Sequence, residues 1–315
     1  MINTGDVPRT NYVGVQAFSS IFRPLSKYVA DRIEAYKFEH RELTEEEYNR
    51  ALLEIIRVVH EKTLDVSGPS RHPVWEKGWG ENLANFDDSR SGLELARPKY
   101  FNKHPIVRWK GHLYSAESPD YEYNMLAVLQ DYLFDKHFRN ASVIYEFGCG
   151  TGHNLFRAHD VNQKAVLHGF DWAQSAVEFI NLMRQHGKIQ AAASQFDFFN
   201  PPKGYRLAKN SHIYTVAALE QTGSNFKPWV DYILTQKPKL VAHIEPIVEL
   251  LDPEHNVLDY LCAQYFLKRN YLNGYLNYLK LLVSQGKIIL QEVIRTKTGS
   301  MFIEGYSVVV WSPMT

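Results

Sequence analysis

Apolar positions recur at helical spacing in three stretches of the first 140 residues, then give way to short β-rich runs separated by helical segments. In residues 44–62, Leu52, Ile55, Ile56 and Val59 form one stripe, and Thr44 followed by Glu45, Glu46 and Glu47 is a helix-start signal. An amphipathic helix that needs a partner surface is predicted there. The same spacing predicts helices over 24–37 and 121–138, the latter through Met125, Leu126, Val128, Leu129 and Leu133. Residues 67–119 read as loop. Their rings, Trp75, Trp79, Tyr100, Phe101, Trp109 and Tyr114, are dense for a solvated segment. Either they pack on the rest of the protein or some of them line a lid over a bound ligand.

From residue 142 strands alternate with helices, the signature of a parallel sheet covered on both faces. Val143, Ile144, Tyr145 and Phe147 form the first run; further strands are expected over 166–170, 189–196, 212–218 and 240–244, with a helix over 175–186. Two helices follow, over 256–267 and 273–284, the second closed by Gly286. An antiparallel pair over 288–296 and 301–311, joined near 297–300, ends the pattern. The fold class is therefore α/β and doubly wound over 141–315, preceded by a mainly helical, loop-rich extension over 1–140.

Composition narrows the class of partner. An apolar fraction of 45% with 22% charged residues excludes global disorder. Lys plus Arg and Asp plus Glu each total 35, so no chain-wide charge draws nucleic acid phosphates or an acidic membrane, and a nucleic acid partner is disfavoured. Cys149 and Cys262 are the only cysteines, which excludes a disulfide framework and a cysteine zinc site; both read as packing residues. Residues 1–20 lack the order of a signal peptide, and no run nears the roughly 18 apolar residues of a membrane span, so no membrane association and a cytoplasmic location are expected.

Chemistry concentrates where the first β-rich run ends, in Glu146-Phe147-Gly148-Cys149-Gly150-Thr151-Gly152-His153-Asn154. Alternate glycines let the backbone turn sharply and approach a ligand, and a helix N-terminus beyond them suits polar or negative groups. A nicotinamide or flavin fingerprint wants glycine or alanine at its sixth position, where His153 stands. The order of an acid, an apolar residue and three alternate glycines instead resembles motif I of class I S-adenosylmethionine-dependent methyltransferases. The resemblance extends over 142–245 by motif and to residue 313 by topology, whereas the first 140 residues resemble no member. It implies a methyltransferase enzyme with S-adenosylmethionine as cofactor and a seven-stranded, mostly parallel sheet whose last strand returns antiparallel over 308–311.

The resemblance also assigns roles. Asp171, about 20 residues beyond the glycines, stands where a doubly wound fold places a ribose-binding acid. With its neighbour Trp172 it joins Glu146, Gly148, Gly150, Gly152 and Asn154 in the cofactor set. Asp197 is the candidate for the adenine amino group, with Phe196 or Phe198 as the wall. Plain alternatives are a helix cap at Asp171 and a turn acid at Asp197. Glu220 and Gln221 end the fourth strand, the side that faces the methyl group. The Asn/Asp-Pro-Pro-Tyr signature of adenine and glutamine N-methyltransferases is absent, since Asn200-Pro201-Pro202 precedes Lys203 and comes one strand early, so those acceptors are disfavoured. His243 and Glu245 flank Ile244 and so share one side; each is a candidate general base or acceptor-orienting group, a satisfied core histidine being the alternative for His243.

Glu220, His243 and Glu245 thus form the expected catalytic set. They could also hold a divalent cation, but without a ligand motif no metal is expected. Tyr265, Tyr271 and Tyr275 either lend hydroxyls to the site or pack. The expected acceptor is a small polar molecule such as a sugar or natural-product intermediate. A protein or RNA acceptor, a cofactor-binding protein without transferase activity and a nicotinamide oxidoreductase are the alternatives, and a homodimer is left open.

Overall fold

A computed structural model of the chain describes residues 10–99, 101 and 103–314. Tyr100, one of the loop rings, lies outside the described residues. The N-terminal region contains α1 (Lys27–Ala35), α2 (Glu45–His60), α3 (His72–Ala84) and α4 (Tyr121–His137), with short helices at Val15–Ser19 and Gly92–Ala96. Thr44 closes the expected capping box on α2: its hydroxyl accepts from Glu47 N–H at 3.2 Å, and the Glu47 carboxylate accepts from Thr44 N–H at 2.9 Å. Two of its long helices match the spacing argument closely, but α3 occupies a stretch read as loop. Gly78 and Gly80 weaken its intrinsic propensity. Tertiary contacts compensate, since Glu76 accepts from Ser175 N–H at 3.0 Å and its carbonyl from Ser175 Oγ at 2.8 Å.

This region also holds a small antiparallel sheet that the hydrophobic pattern does not reveal. Its strands run in the order Thr10–Tyr12, Glu39–Glu42, His112–Ala116, Ile106–Trp109 and Gly299–Ser300. The last of these comes from the far end of the chain, with Gly299 opposite Arg108 and Ser300 opposite Val107. Arg108 is 2% exposed, and its guanidinium donates to the carbonyls of Leu258, Met301 and Phe302 at 3.1 to 3.3 Å.

The second half runs β1 (Val143–Phe147), α5 (His153–Val161), β2 (Val166–Asp171), α6 (Gln174–Gln185), β3 (Ala191–Gln195), β4 (His212–Val216), α7 (Lys227–Gln236), β5 (Leu240–Glu245), α8 (Val257–Arg269), α9 (Tyr275–Ser284), β6 (Ile288–Arg295) and β7 (Ser307–Pro313). The seven strands lie in the order β6-β7-β5-β4-β1-β2-β3, and only β7 is antiparallel to its neighbours. The α/β class and the seven-stranded sheet with its antiparallel last strand are as the sequence implies. Two details differ: α7 has no counterpart among the expected elements, and β7 begins at Ser307 because the residues before it first visit the small sheet.

One face of the large sheet packs on the N-terminal region, where a continuous core joins Phe18, Phe38, Trp109 and Leu129 to Ile144, Tyr214 and Val308. Helix α4 is sandwiched in this layer, which is why most of its circumference is apolar and buried. The other face carries Phe147, Phe170, Trp229, Leu279 and Trp311. The chain departs to opposite sides of β1, toward β2 and then toward β4, so the switch point falls between β1 and β4. Ligands of doubly wound sheets collect outside the carboxyl ends of the strands at such a point. Among the described residues, no helix is long and apolar enough to cross a membrane.

Candidate active site

The glycine loop leaves β1 at the switch point. Gly148 (φ +76°) and Gly150 (φ +49°) adopt left-handed backbone, and a Cβ on either would collide, with Ala218 Cβ at 2.3 Å and with the Trp79 ring at 2.9 Å. Gly152 (φ +78°) differs, because its missing Cβ faces Ile180 at 3.1 Å, under the sheet helices. It lines neither cavity of the site, so its role is packing and the N-terminus of α5. The loop amides are largely spent. Gly148 and Cys149 N–H donate to the Phe170 carbonyl at 2.7 and 2.9 Å, Gly150 N–H to Asp171 Oδ2 at 2.8 Å, and Gly152 N–H to the Cys149 carbonyl at 2.8 Å. These four amides are therefore not free to bind a phosphate group, which needs such donors.

Asp171 closes β2 and is 5% exposed, with one carboxylate oxygen on Gly150 N–H and the other on Ala173 N–H at 2.9 Å. Both the binding and the capping expectations therefore find their geometry, and a second lone pair on each oxygen remains for a ligand. Burial pushes its pKa up to about 6. With Trp172, Phe198, Gly148, Trp75 and Trp79 it lines a narrow pocket of 60 Å³. Asp197 lies beside this pocket without lining it; its Oδ1 accepts from Phe199 N–H at 2.8 Å, a turn that sets the two neighbouring rings.

A second cavity of 580 Å³ shares Trp75, Trp79, Gly148, Ala217 and Gln221 as a common wall with the first. Of the five described loop rings, only Trp75 and Trp79 line these cavities; they stack at 5.6 Å on α3, a helix without a fully buried residue. Phe101 and Trp109 are core, Tyr114 packs half-buried against His40, and Tyr100 is outside the described residues. Tyr265 and Tyr271 face the larger cavity.

The expected catalytic set divides. Glu220 lines the large cavity, its carboxylate accepting from Gln221 Nε2 at 2.9 Å, and burial beside Glu245 raises its pKa to about 8. His243 is fully buried behind it. Thr215 Oγ1 donates to Glu245, which leaves it to accept from the imidazole, and His243 Nε2 then accepts from Tyr275 Oη at 2.7 Å, with Trp311 Nε1–H shared between Nε2 at 3.1 Å and Tyr275 Oη at 3.2 Å. The proton is then on Nδ1, 2.8 Å from Thr215 Oγ1. Both ring nitrogens are engaged and burial lowers the pKa to about 3, so His243 is the satisfied core histidine and not a base. Glu245 shares its side as expected, but it accepts from Thr215 Oγ1 and from the backbone N–H groups of Ala218, Leu219 and Glu220. It shapes the turn after β4 and touches no cavity. That turn is strained at Ala217, where φ is +47°, a conformation costing about 1–2 kcal/mol for an L-residue.

Glu146 also stands apart from the cavities. It is fully buried, accepts from Asn154 Nδ2 at 2.6 Å and Tyr214 Oη at 2.9 Å, and lines neither cavity; burial pushes its pKa up to about 8. It positions the loop from beneath. Asn154 itself reaches the large cavity, with Oδ1 taken by Gln130 Nε2 at 2.6 Å. Three lining residues carry no local signal in the sequence: Arg71 before α3, Arg269 at the end of α8, and Glu122 in the first turn of α4. Burial lifts the Glu122 carboxyl to about 7. Among the described residues no group of His, Cys, Asp and Glu side chains could hold a metal ion.

No protein-family model matches the chain, and no curated protein matches it. Among solved structures it is similar to the N-methyltransferase NodS from Bradyrhizobium japonicum WM9 in complex with S-adenosyl-L-homocysteine, at 10% identity over 76% of this chain and 99% of that one, TM-score 0.48. It is similar also to the cyclase SpnF, at 13% identity over 79% and 97%, TM-score 0.48. A third is the magnesium protoporphyrin IX methyltransferase from Synechocystis PCC 6803 with bound S-adenosyl-L-homocysteine, at 13% over 60% and 82%, TM-score 0.44. Likeness this distant assigns no chemistry.

Proposed function

We propose that the chain is an S-adenosylmethionine-dependent methyltransferase acting on a small molecule held in the 580 Å³ cavity. The observation that carries this reading is a glycine loop whose amides are already spent, set against a strand-end carboxylate in an aromatic pocket. That combination suits an adenosyl group, whose ribose hydroxyls would donate to such a carboxylate.

Asp171 would accept from the ribose hydroxyls, Trp172 and Phe198 would flank the adenine, with Asp197 beside them, and Gly148 and Gly150 permit close approach. When bound, the cofactor supplies an electrophilic methyl carbon. Trp75 and Trp79, on the partly buried α3, exclude water from the junction of the two cavities. Catalysis is then alignment of an acceptor nucleophile, with Glu220 taking its proton. The turn hung on Glu245 fixes where Glu220 stands.

A small molecule is favoured over a protein or RNA because Trp75, Trp79, Tyr265 and Tyr271 wall the cavity, with the basic groups Arg71, Lys103 and Arg269 gathered in the same lining. Calorimetry with S-adenosylhomocysteine and NAD, followed by transfer of a radiolabelled methyl group into size-fractionated cell extract, tests the reading. Binding of S-adenosylhomocysteine with label in the metabolite fraction is expected. Selective NAD binding overturns it, label in macromolecules reassigns the acceptor, and binding without transfer to any fraction makes the chain a cofactor-binding protein.

A further inference from the structure

We propose that the acceptor carries an oxyanion, a carboxylate or a phosphate, which the guanidinium groups of Arg71 and Arg269 hold beside Glu220. That the ligand is the acceptor rests on the methyltransferase reading; that the cavity binds an oxyanion rests on the two arginines.

Both side chains line the large cavity. Arg71 is 13% exposed at its side chain and pairs through Nη1 with Asp65, which is mostly exposed. Arg269 has no carboxylate within 4.0 Å among the described residues, its Nη2 donating only to the neutral Tyr271 hydroxyl at 3.1 Å. The Nε–H of each is buried without an acceptor. Ring faces support the planar groups, Trp75 under Arg71 at 5.9 Å and Tyr271 under Arg269 at 5.1 Å.

Their relative position is fixed. Ser67 N–H donates to the Arg269 carbonyl at 2.8 Å, Asn270 Nδ2 to the Ser67 carbonyl at 3.0 Å, and Ser67 Oγ to Gln221 Oε1 at 3.0 Å. One knot thus ties the segment before Arg71, the end of α8 and the Glu220 turn into a single wall. The acids of the cavity, Glu122 and Glu220, offset this wall only in part at neutral pH, since burial lifts them to about 7 and about 8. Arg71 keeps Asp65, but Arg269 is a partly desolvated cation with no ionic partner among the described residues, which is costly unless an anion compensates it, and the guanidinium fork is shaped for carboxylate or phosphate.

The test is calorimetric. Protein saturated with S-adenosylhomocysteine is titrated with benzoate, phenyl phosphate and the neutral benzamide, using the wild type, Arg269→Gln, Arg269→Lys and Arg71→Gln. At least one anion should bind about tenfold more tightly than benzamide, Arg269→Gln and Arg71→Gln should each weaken it about tenfold, and Arg269→Lys should restore part of the loss. Whichever of benzoate and phenyl phosphate is preferred identifies the group. Equal binding of benzamide, no anion binding, or anion binding indifferent to both variants overturns the proposal. So does a selective loss of S-adenosylhomocysteine affinity, which would place the arginines on the cofactor's own carboxylate. If the wild type binds no S-adenosylhomocysteine, the methyltransferase reading fails, and the same titrations on cofactor-free protein still decide the anion site. Should Arg269→Gln unfold, Arg71→Gln carries the comparison.

Discussion

His243 and Tyr275 meet at 2.7 Å, Nε2 to Oη, on the side of the sheet turned away from the large cavity. Trp311 and Thr215 complete the cluster; removing the imidazole leaves the Tyr275 hydroxyl proton without an acceptor, while Trp311 keeps Tyr275 at 3.2 Å and Thr215 keeps Glu245 at 2.7 Å. His243→Ala should cost about 2–4 kcal/mol of stability, the sum of a cavity and lost hydrogen bonds, with S-adenosylhomocysteine affinity unchanged. Denaturant midpoints and calorimetry measure both. A turnover loss in excess of the lost folded fraction would restore His243 as a base.

Asp171 offers the reverse pattern. Asp171→Ala should weaken S-adenosylhomocysteine about 10- to 100-fold, as expected for hydrogen bonds to a charged acceptor. The wild-type affinity should itself fall as pH drops through about 6, because the carboxylate that accepts is present above that value. Affinity flat from pH 5 to 8 would remove the ribose role.

Glu220 should report the charge of the ligand beside it. Its carboxyl is held up at about 8, and a sulfonium nearby favours the ionised form, whereas a neutral thioether does not. S-adenosylmethionine binding should therefore release a proton near pH 7.5, while S-adenosylhomocysteine binding should release much less. Calorimetry in buffers of different ionisation enthalpy counts these protons, and Glu220→Gln should abolish the difference. Equal proton release by both ligands would deny Glu220 its place near the reacting carbon.

Buried histidines and buried acids drive the pH dependence of stability in opposite directions. His243 and His153 stay neutral in the fold, both lowered to about 3 by burial, while the unfolded chain binds their protons, so their contribution to stability rises as pH rises from about 3 to 6.5. Glu146 works oppositely: raised to about 8, it keeps a proton in the fold that the unfolded chain has lost, so stability falls as pH rises from 4.5 to 8. Above 6.5 only the acids act. Glu146→Gln should flatten the decline of melting temperature between pH 6.5 and 8, and an unchanged slope would show that Glu146 is ionised in the fold.

The large sheet and the glycine loop were legible because their signals are local: a strand, a turn that only glycine tolerates, a carboxylate at the next strand end. The layer behind them was not. Period-two spacing correctly puts His243 and Glu245 on one side, yet which neighbours cover that side is decided by Tyr275 on α9 and Trp311 on β7, far along the chain. Arg71 and Arg269 meet the site through the Ser67 knot, which no spacing encodes. Helix α3 was hidden by two glycines, and the small-sheet strands, at two to five residues, are too short to show a period.

The pairing of Gly299 and Ser300 with the strand at Ile106–Trp109 bears on how the protein is made. Synthesis proceeds from the N-terminus, yet the buried guanidinium of Arg108 finds its carbonyl acceptors only at Leu258, Met301 and Phe302. The half that walls the large cavity cannot finish folding before residues 258–302 leave the ribosome, and until then the nascent chain must hold Phe38, Trp109 and Leu129 in an unfinished core.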